Sequence, residues 1–246
     1  MSNNCGCGEK DINTILEDTE MSCIESTTMM DKTDAELKFE EYREYLRQEA
    51  IRLASYILLY RRLHELRSER LSEMIIAPAF FEVVIDALFS VIVIWVDKMF
   101  SEKSERGVWN FLTFCEHNRN ILEIKELKHR RNYADGHRML RNHEPITHQT
   151  IQDDKKRISK LESLPSFKLR RDKFYAHFDK EYFFDRKKLS EDAPLKWSDL
   201  EEILKTMAEI INTYSIAYDG SQHILEPINI NDIEHILNIL HKAKKT

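Results

Sequence analysis

The sequence predicts an all-α protein, and three observations carry that expectation. Of 246 residues only five are glycine and five proline, so few positions interrupt a helix. Apolar side chains recur at helical spacing in one segment after another. No stretch alternates apolar and polar residues as a half-buried strand does. The length suits one large domain or two small ones. The formal net charge is −6, unevenly placed. Residues 1–50 hold 13 acidic and 5 basic side chains, a net of −8, which leaves 30 acidic and 32 basic, a net of +2, for the rest. That balance permits an anionic ligand on the body of the chain without requiring one.

Residues 1–33 are rich in Ser, Thr, Asn, Asp and Glu without an apolar period, the composition of a mobile polar tail. Cys5, Cys7 and Cys23 fall in it and Cys115 outside it. Cys5-Gly-Cys7 lacks the paired spacing of a zinc site. The first twenty residues are polar and acidic, unlike a secretory signal, so the expected setting is a reducing cytoplasm.

Thr33 or Asp34 caps the first helix, which runs through Leu66 with a possible break near Ser72. Pro78 suits the first turn of the next helix. Phe80 to Val96 is apolar on nearly every face, which means a buried helix or a membrane span. Glu82 and Asp86 interrupt it, and the clean apolar run after Asp86 is ten residues, about half of what a bilayer requires. A buried core helix and no membrane are therefore expected. The two carboxylates share a face; they either point outward at the helix end, or one of them orients an arginine.

Val108 to Leu122 predicts a further amphipathic helix. A basic run follows, with Lys125, Lys128, His129, Arg130, Arg131, His137, Arg138, Arg141 and His143. It reads as helical with a break near Gly136 and a stop at Pro145. A solvated face and a rim that grips a nucleic-acid backbone both fit it. Thr147 or Thr150 opens a charged helix through Leu161. An irregular linker is expected after Lys180. Ser198 with Glu201 makes a capping box for a helix to about Tyr218. After a turn with Gly220 and Pro227, Asn231 caps a last helix with a basic tail.

The segment Pro165 to Lys180 (PSFKLRRDKFYAHFDK) stands out. Read as one helix, it carries an apolar stripe of Phe167, Phe174 and Phe178, with Arg170, Lys173 and His177 on the adjoining face. Arginine offers a forked, permanently charged grip on phosphate oxygens, and histidine exchanges protons near neutral pH. A plain basic surface on a core helix fits the same spacing, because Arg131 to His137 repeats the separation of Arg171 to His177. On an ideal helix Arg170 lies about 20° around from His177 and Arg171 about 120°. No glycine-rich phosphate loop, His-Glu-x-x-His helix or nucleophile elbow is present.

Arg171-Asp172-Lys173-Phe174-Tyr175-Ala176-His177-Phe178-Asp179 resembles the signature of the HEPN superfamily, in which an Arg and a polar residue stand four to six positions before a His. The Arg-Asp-Lys start and the Ala-His-x-Asp end are most similar to the AbiU-like abortive-infection branch. The Asp97-Lys98 step with its Ser-Glu-Lys-Ser-Glu-Arg sequel also suits that branch, as do the flanking helices. The resemblance covers residues 35–220, within a domain expected at 34–220 and followed by a C-terminal helix and tail at 221–246. It implies a HEPN-like bundle of four to five core helices with extra helices. It also implies a homodimer that places two Arg/His pairs around one composite site. Metal-independent RNA cleavage follows, with no metal and no cofactor, together with a possible antitoxin or phage trigger. His177 is then the general acid or base, Arg171 the phosphate clamp and Asp172 the residue that positions the pair. Arg170 is the second choice for the arginine, and Arg170, Lys173, Arg130 and Arg131 are the expected substrate-binding set. Position 179 is Asp, where a sister branch has a modifiable Tyr, so regulation by tyrosine modification is not implied. Two rival readings stand: a catalytically silent HEPN module that binds nucleotide, RNA or protein, and an all-α scaffold.

Overall fold

A computed structural model describes residues 32–175, 179–227 and 231–243. Residues 1–31, with Cys5, Cys7 and Cys23, lie outside the described residues, as do His177 and Phe178. From Thr33 onward the chain forms one compact unit. It is all-α, with no strand among the described residues.

Helix α1 (Asp34–Glu69) begins where its capping chemistry sits. Thr33 Oγ1 accepts the Glu36 N–H at 3.3 Å, and the Glu36 carboxylate accepts the Thr33 N–H at 2.9 Å. That reciprocal box satisfies two of the orphan donors of the first turn. The chain breaks at Arg70 and makes one short turn, α2 (Leu71–Met74). Pro78 then occupies the first turn of α3 (Pro78–Phe100), where its missing N–H has no consequence.

Helix α3 is buried on one side, most deeply in its C-terminal half, and not on all sides as expected. Ile92, Val93, Val96 and Met99 are fully buried, whereas Phe80 and Val83 are 59% and 66% exposed. The helix is long and apolar enough to cross a membrane, yet it packs against α1 inside the main core.

The segment after it divides into α4 (Val108–His117) and a 3₁₀ turn at Arg119–Leu122. The basic run becomes α5 (Ile124–Arg131), closed by Asn132 in the left-handed region (φ 48°), and a single turn α6 (Arg138–Arg141). Thr147 caps α7 (His148–Ser159) with Thr150 as its box partner.

The focal segment is not one helix. It runs as α8 (Leu164–Arg170) and then a π-helical turn at Arg171–Tyr175. The Phe stripe splits accordingly. Phe167 is fully buried in the main core, and Phe174 packs on a satellite cluster of Tyr182, Leu189 and Ala193. The expected linker holds two short helices, α9 (Lys180–Phe184) and α10 (Arg186–Asp192), each capped by an aspartate, Asp179 and Asp185.

Helix α11 (Trp197–Asp219) starts a residue before Ser198, and Asp199 rather than Glu201 closes its box by accepting the Lys196 N–H at 2.7 Å. Glu201 is paired with Arg61 instead. The main core lies between α1, α3, α4, α7, α8 and α11. The final helix, α12 (Asp232–Ala243), seats Ile233 and Leu237 against Leu63, Leu66, Met74 and Phe81.

Candidate functional site

Arg170 and Arg171 are neighbours in sequence with opposite fates. Arg170 is 9% exposed. Its Nε–H donates to the Ala193 carbonyl at 2.7 Å, and its guanidinium lies 5.5 Å over the Phe89 ring. Burial pulls its pKa down, against the pull of nearby Tyr175 and Tyr60. It is a strut that ties α8 to α3 and to the end of α10.

Arg171 reaches outward. One Nη1–H donates to Asp97 Oδ2, while Nε–H and one Nη2–H donate to Asp172 Oδ1, the former at 2.8 Å. A guanidinium has five N–H donors. Three are engaged among the described residues, which leaves one on each Nη for a further anion. The Arg171 side chain is 29% exposed and that of Asp97 only 10%.

The electrostatics follow from that difference in burial. Loss of water pushes the Asp97 carboxyl above the usual carboxylate range; Arg171 pulls it down, the Asp172 charge pushes it up again, and burial prevails. Lys173 pairs with Asp179 at 3.1 Å on the exposed side. That bond lowers the Asp179 carboxyl and raises the Lys173 ammonium. Tyr175, at the end of the π turn, is raised by burial and bonds Ser90 on α3.

The π turn alters the geometry used to rank the two arginines. An i→i+5 turn holds one more residue than an α turn. The 20° and 120° offsets calculated for an ideal helix therefore do not carry across Arg171–Tyr175. Side-chain environment separates the arginines instead: Arg170 is in the core and Arg171 borders solvent.

The expected substrate-binding set is split between two separate places along α1. Arg130 donates to Glu36 at 2.7 Å, to the Tyr218 carbonyl and to the Ile121 carbonyl at 3.2 Å, with its guanidinium 3.8 Å over the Tyr218 ring. Its side chain is 14% exposed. These bonds make it a structural tie. Arg131 is nearly half exposed and donates to the Asp219 carbonyl at 2.6 Å.

Glu36, beside Arg130, and Glu49, which accepts the Trp95 indole N–H two residues before Asp97, both stand on α1. Their separation of 13 residues spans about 20 Å of helix. Arg130 and Arg131 are therefore not beside Arg171.

Asp97 is the site residue that sequence reasoning passed over. The sequence offers Glu82 and Asp86 as partners for an arginine, and Asp97 only as part of the Asp97-Lys98 step. Asp86 and Asp97 are eleven residues apart, about 20° around a helix, so they share a face. Which of them meets an arginine depends on where α8 and the π turn cross α3.

No curated protein and no solved structure matches this chain. A family model, AbiU2 of the HEPN group, matches residues 36–238. That span takes in α1 through most of α12 and so includes Asp97, Arg171 and Asp172. On this match, which covers most of its length, the chain belongs to the HEPN AbiU2 family.

Proposed function

We propose that the chain is a metal-independent endoribonuclease of HEPN type that acts in abortive infection. The observation that carries this reading is Arg171, held by Asp97 and Asp172 with two donors unengaged among the described residues, six residues before His177 in sequence. In this reading the ribose 2′-oxygen attacks the adjacent phosphorus while a base takes its proton. The P–O5′ bond breaks as an acid protonates the leaving oxygen, which leaves a cyclic phosphate and a free 5′-hydroxyl. The free N–H groups of Arg171 hold the non-bridging oxygens as their charge grows. Asp97 and Asp172 keep the guanidinium in one orientation, and His177 supplies the proton transfer.

In-line attack requires a base, an acid and charge stabilisation together, more than one Arg and one His per chain provide. We therefore propose that two copies share a site, with RNA as the partner.

Incubation of the purified protein with total RNA, with and without chelator, tests the reading. Cleavage with cyclic-phosphate ends in both arms is expected. Activity lost in chelator and restored by magnesium would overturn metal independence. His177→Ala is expected to abolish cutting without loss of the fold.

A further inference from the structure

The segment that joins α3 to α4 closes a cleft against the first half of α1. Within it the Ser104 N–H donates to the Ser101 carbonyl at 3.0 Å and the Gly107 N–H to the Ser104 carbonyl at 3.2 Å. Asn110 Nδ2 donates to the same Ser104 carbonyl at 2.9 Å. Gly107 is required there, since a Cβ would stand 2.8 Å from the Met99 carbonyl oxygen. The cleft has a volume of about 320 Å³ and is lined by Lys38, Glu41, Tyr42, Tyr45, Glu105 and Arg106. Tyr42 is pinned: its hydroxyl donates to the Glu105 carbonyl at 3.3 Å, and its ring packs 5.5 Å from that of Phe114. Tyr45 is half-buried, with the exposed Arg106 guanidinium 5.6 Å over its ring.

This cleft lies on a longer line of groups that leads toward Arg171. Tyr42, Tyr45, Glu49, Arg52 and Tyr56 follow at steps of three and four, which keeps them on one face of α1. Against that face Trp95 of α3 gives its indole N–H to Glu49 at 2.6 Å and stands edge-on to Tyr56. Two exposed cations lie over the Trp95 ring, Lys98 at 4.6 Å and Arg52 at 5.9 Å. Lys98 makes no ion pair among the described residues. Around α3, Lys98 falls between Trp95, about 60° to one side, and Asp97, about 100° to the other. It therefore connects the Trp95 face with the Asp97 face, where Arg171 is held.

We propose that the cleft takes one base of a single-stranded RNA whose backbone runs over Arg52 and Lys98 to Arg171. Aromatic walls interleaved with cations are how proteins follow an unpaired strand, because every base has a face to stack and every link a charge to neutralise. Glu41 and Glu105 repel phosphate and accept the N–H groups of a base edge. The base therefore enters the cleft and the phosphates stay over the cations. A duplex keeps its bases stacked inside and presents none to Tyr45. The choice of RNA rests on the reading of Arg171 given above, and the test keeps the two apart.

Full-length His177→Ala protein, in which cutting is blocked, is titrated into a labelled single strand of about twelve nucleotides and read by fluorescence anisotropy. Adding Tyr45→Ala is expected to raise Kd about ten-fold, the worth of one stacked base, and Arg106→Ala about three-fold, with circular dichroism unchanged. Tyr45→Phe, which keeps the ring, is expected to bind as the parent does. Strands with a single abasic nucleotide at each position in turn locate the base. At one position the parent should lose what Tyr45→Ala loses, and Tyr45→Ala should add nothing on that strand. A duplex of the same sequence should bind both proteins equally. A Tyr45→Ala loss as large on duplex as on single strand, losses that add at every abasic position, or binding that Tyr45→Ala and Arg106→Ala leave intact would each overturn the subsite. Base-dependent binding by a wild type that does not cut RNA would sustain the subsite and overturn the ribonuclease reading. Cutting with no dependence on Tyr45 would do the reverse, and absence of RNA binding would overturn both.

Discussion

Two arginine clusters stand about 20 Å apart along α1, and they differ in how many donors the fold has taken. In one, Arg130 is enclosed by Glu36, two backbone carbonyls and the Tyr218 ring. In the other, Arg171 is fixed by two carboxylates on one side and meets solvent on the other. Both are ion-paired, so pairing alone does not identify a functional arginine. The separating quantity is the number of N–H groups left over, together with the water that can reach them.

The largest effect is expected from truncating each arginine. Arg171→Ala should lower RNA cleavage by 100-fold or more, on the order seen when one charge-stabilising donor is removed, with little change in melting temperature. Arg170→Ala and Arg130→Ala should do the reverse. Each leaves buried polar partners unsatisfied, at a cost of about 2 kcal/mol and a melting point several degrees lower. Their activity per folded molecule should stay near wild type. Arg170→Ala with the greater loss of activity would mean that ideal helix geometry ranks the pair better than environment does.

Asp97→Asn sharpens the comparison, because it removes a positioning charge without removing the clamp. Activity should fall about ten-fold while stability at pH 7 rises. The sign follows from burial. Asp97 has a raised pKa in the folded chain, so its ionised form is disfavoured there relative to the unfolded chain. Wild type therefore gains stability as pH falls through the folded pKa. The difference in melting temperature between Asp97→Asn and wild type should shrink as pH is lowered from 7 toward 4. A variant less stable than wild type at pH 7, with the gap closing as pH falls, would place Asp97 among the stabilising ion pairs instead.

A smaller effect belongs to the turn beside the Arg130 cluster. Gly220 ends α11 at φ 75°, and an added Cβ would meet Met139 Cε at 3.1 Å. Gly220→Ala should cost about 1 kcal/mol, read as a small fall in the denaturant midpoint with cleavage unaffected. The smallest effect is expected from Arg131→Glu. Arg131 remains half exposed, so if the basic run guides RNA the salt slope of binding should fall by about 1 to 2. An unchanged slope would make that run a solvated face.

The helix starts at Thr33, Pro78 and Thr147 were legible because capping chemistry acts within four residues. The start of α11 was misplaced by two residues, since Glu201 finds Arg61 across the fold and Asp199 takes its part in the box with Lys196 as the cap. The two short helices after Lys180 had a local signal, Asp179 and Asp185 at their caps, that went unused. The Arg-Asp motif itself was readable. Its third member was not, because Asp97 lies 74 residues before Arg171. Nothing near Arg130 in sequence announces Glu36, 94 residues away. Local chemistry writes helices into a sequence; the use of each charge is decided by packing.

The π turn at Arg171–Tyr175 has a consequence for descent. A wide turn can be gained or lost with a single inserted or deleted residue, while the flanking helices keep their register against the core. A residue inserted or lost within Arg171–Tyr175 therefore changes the count of residues that follow Arg171 without moving α8 against the core. The carboxylate that reaches across from α3 is independent of that count, because no insertion within the turn can supply it.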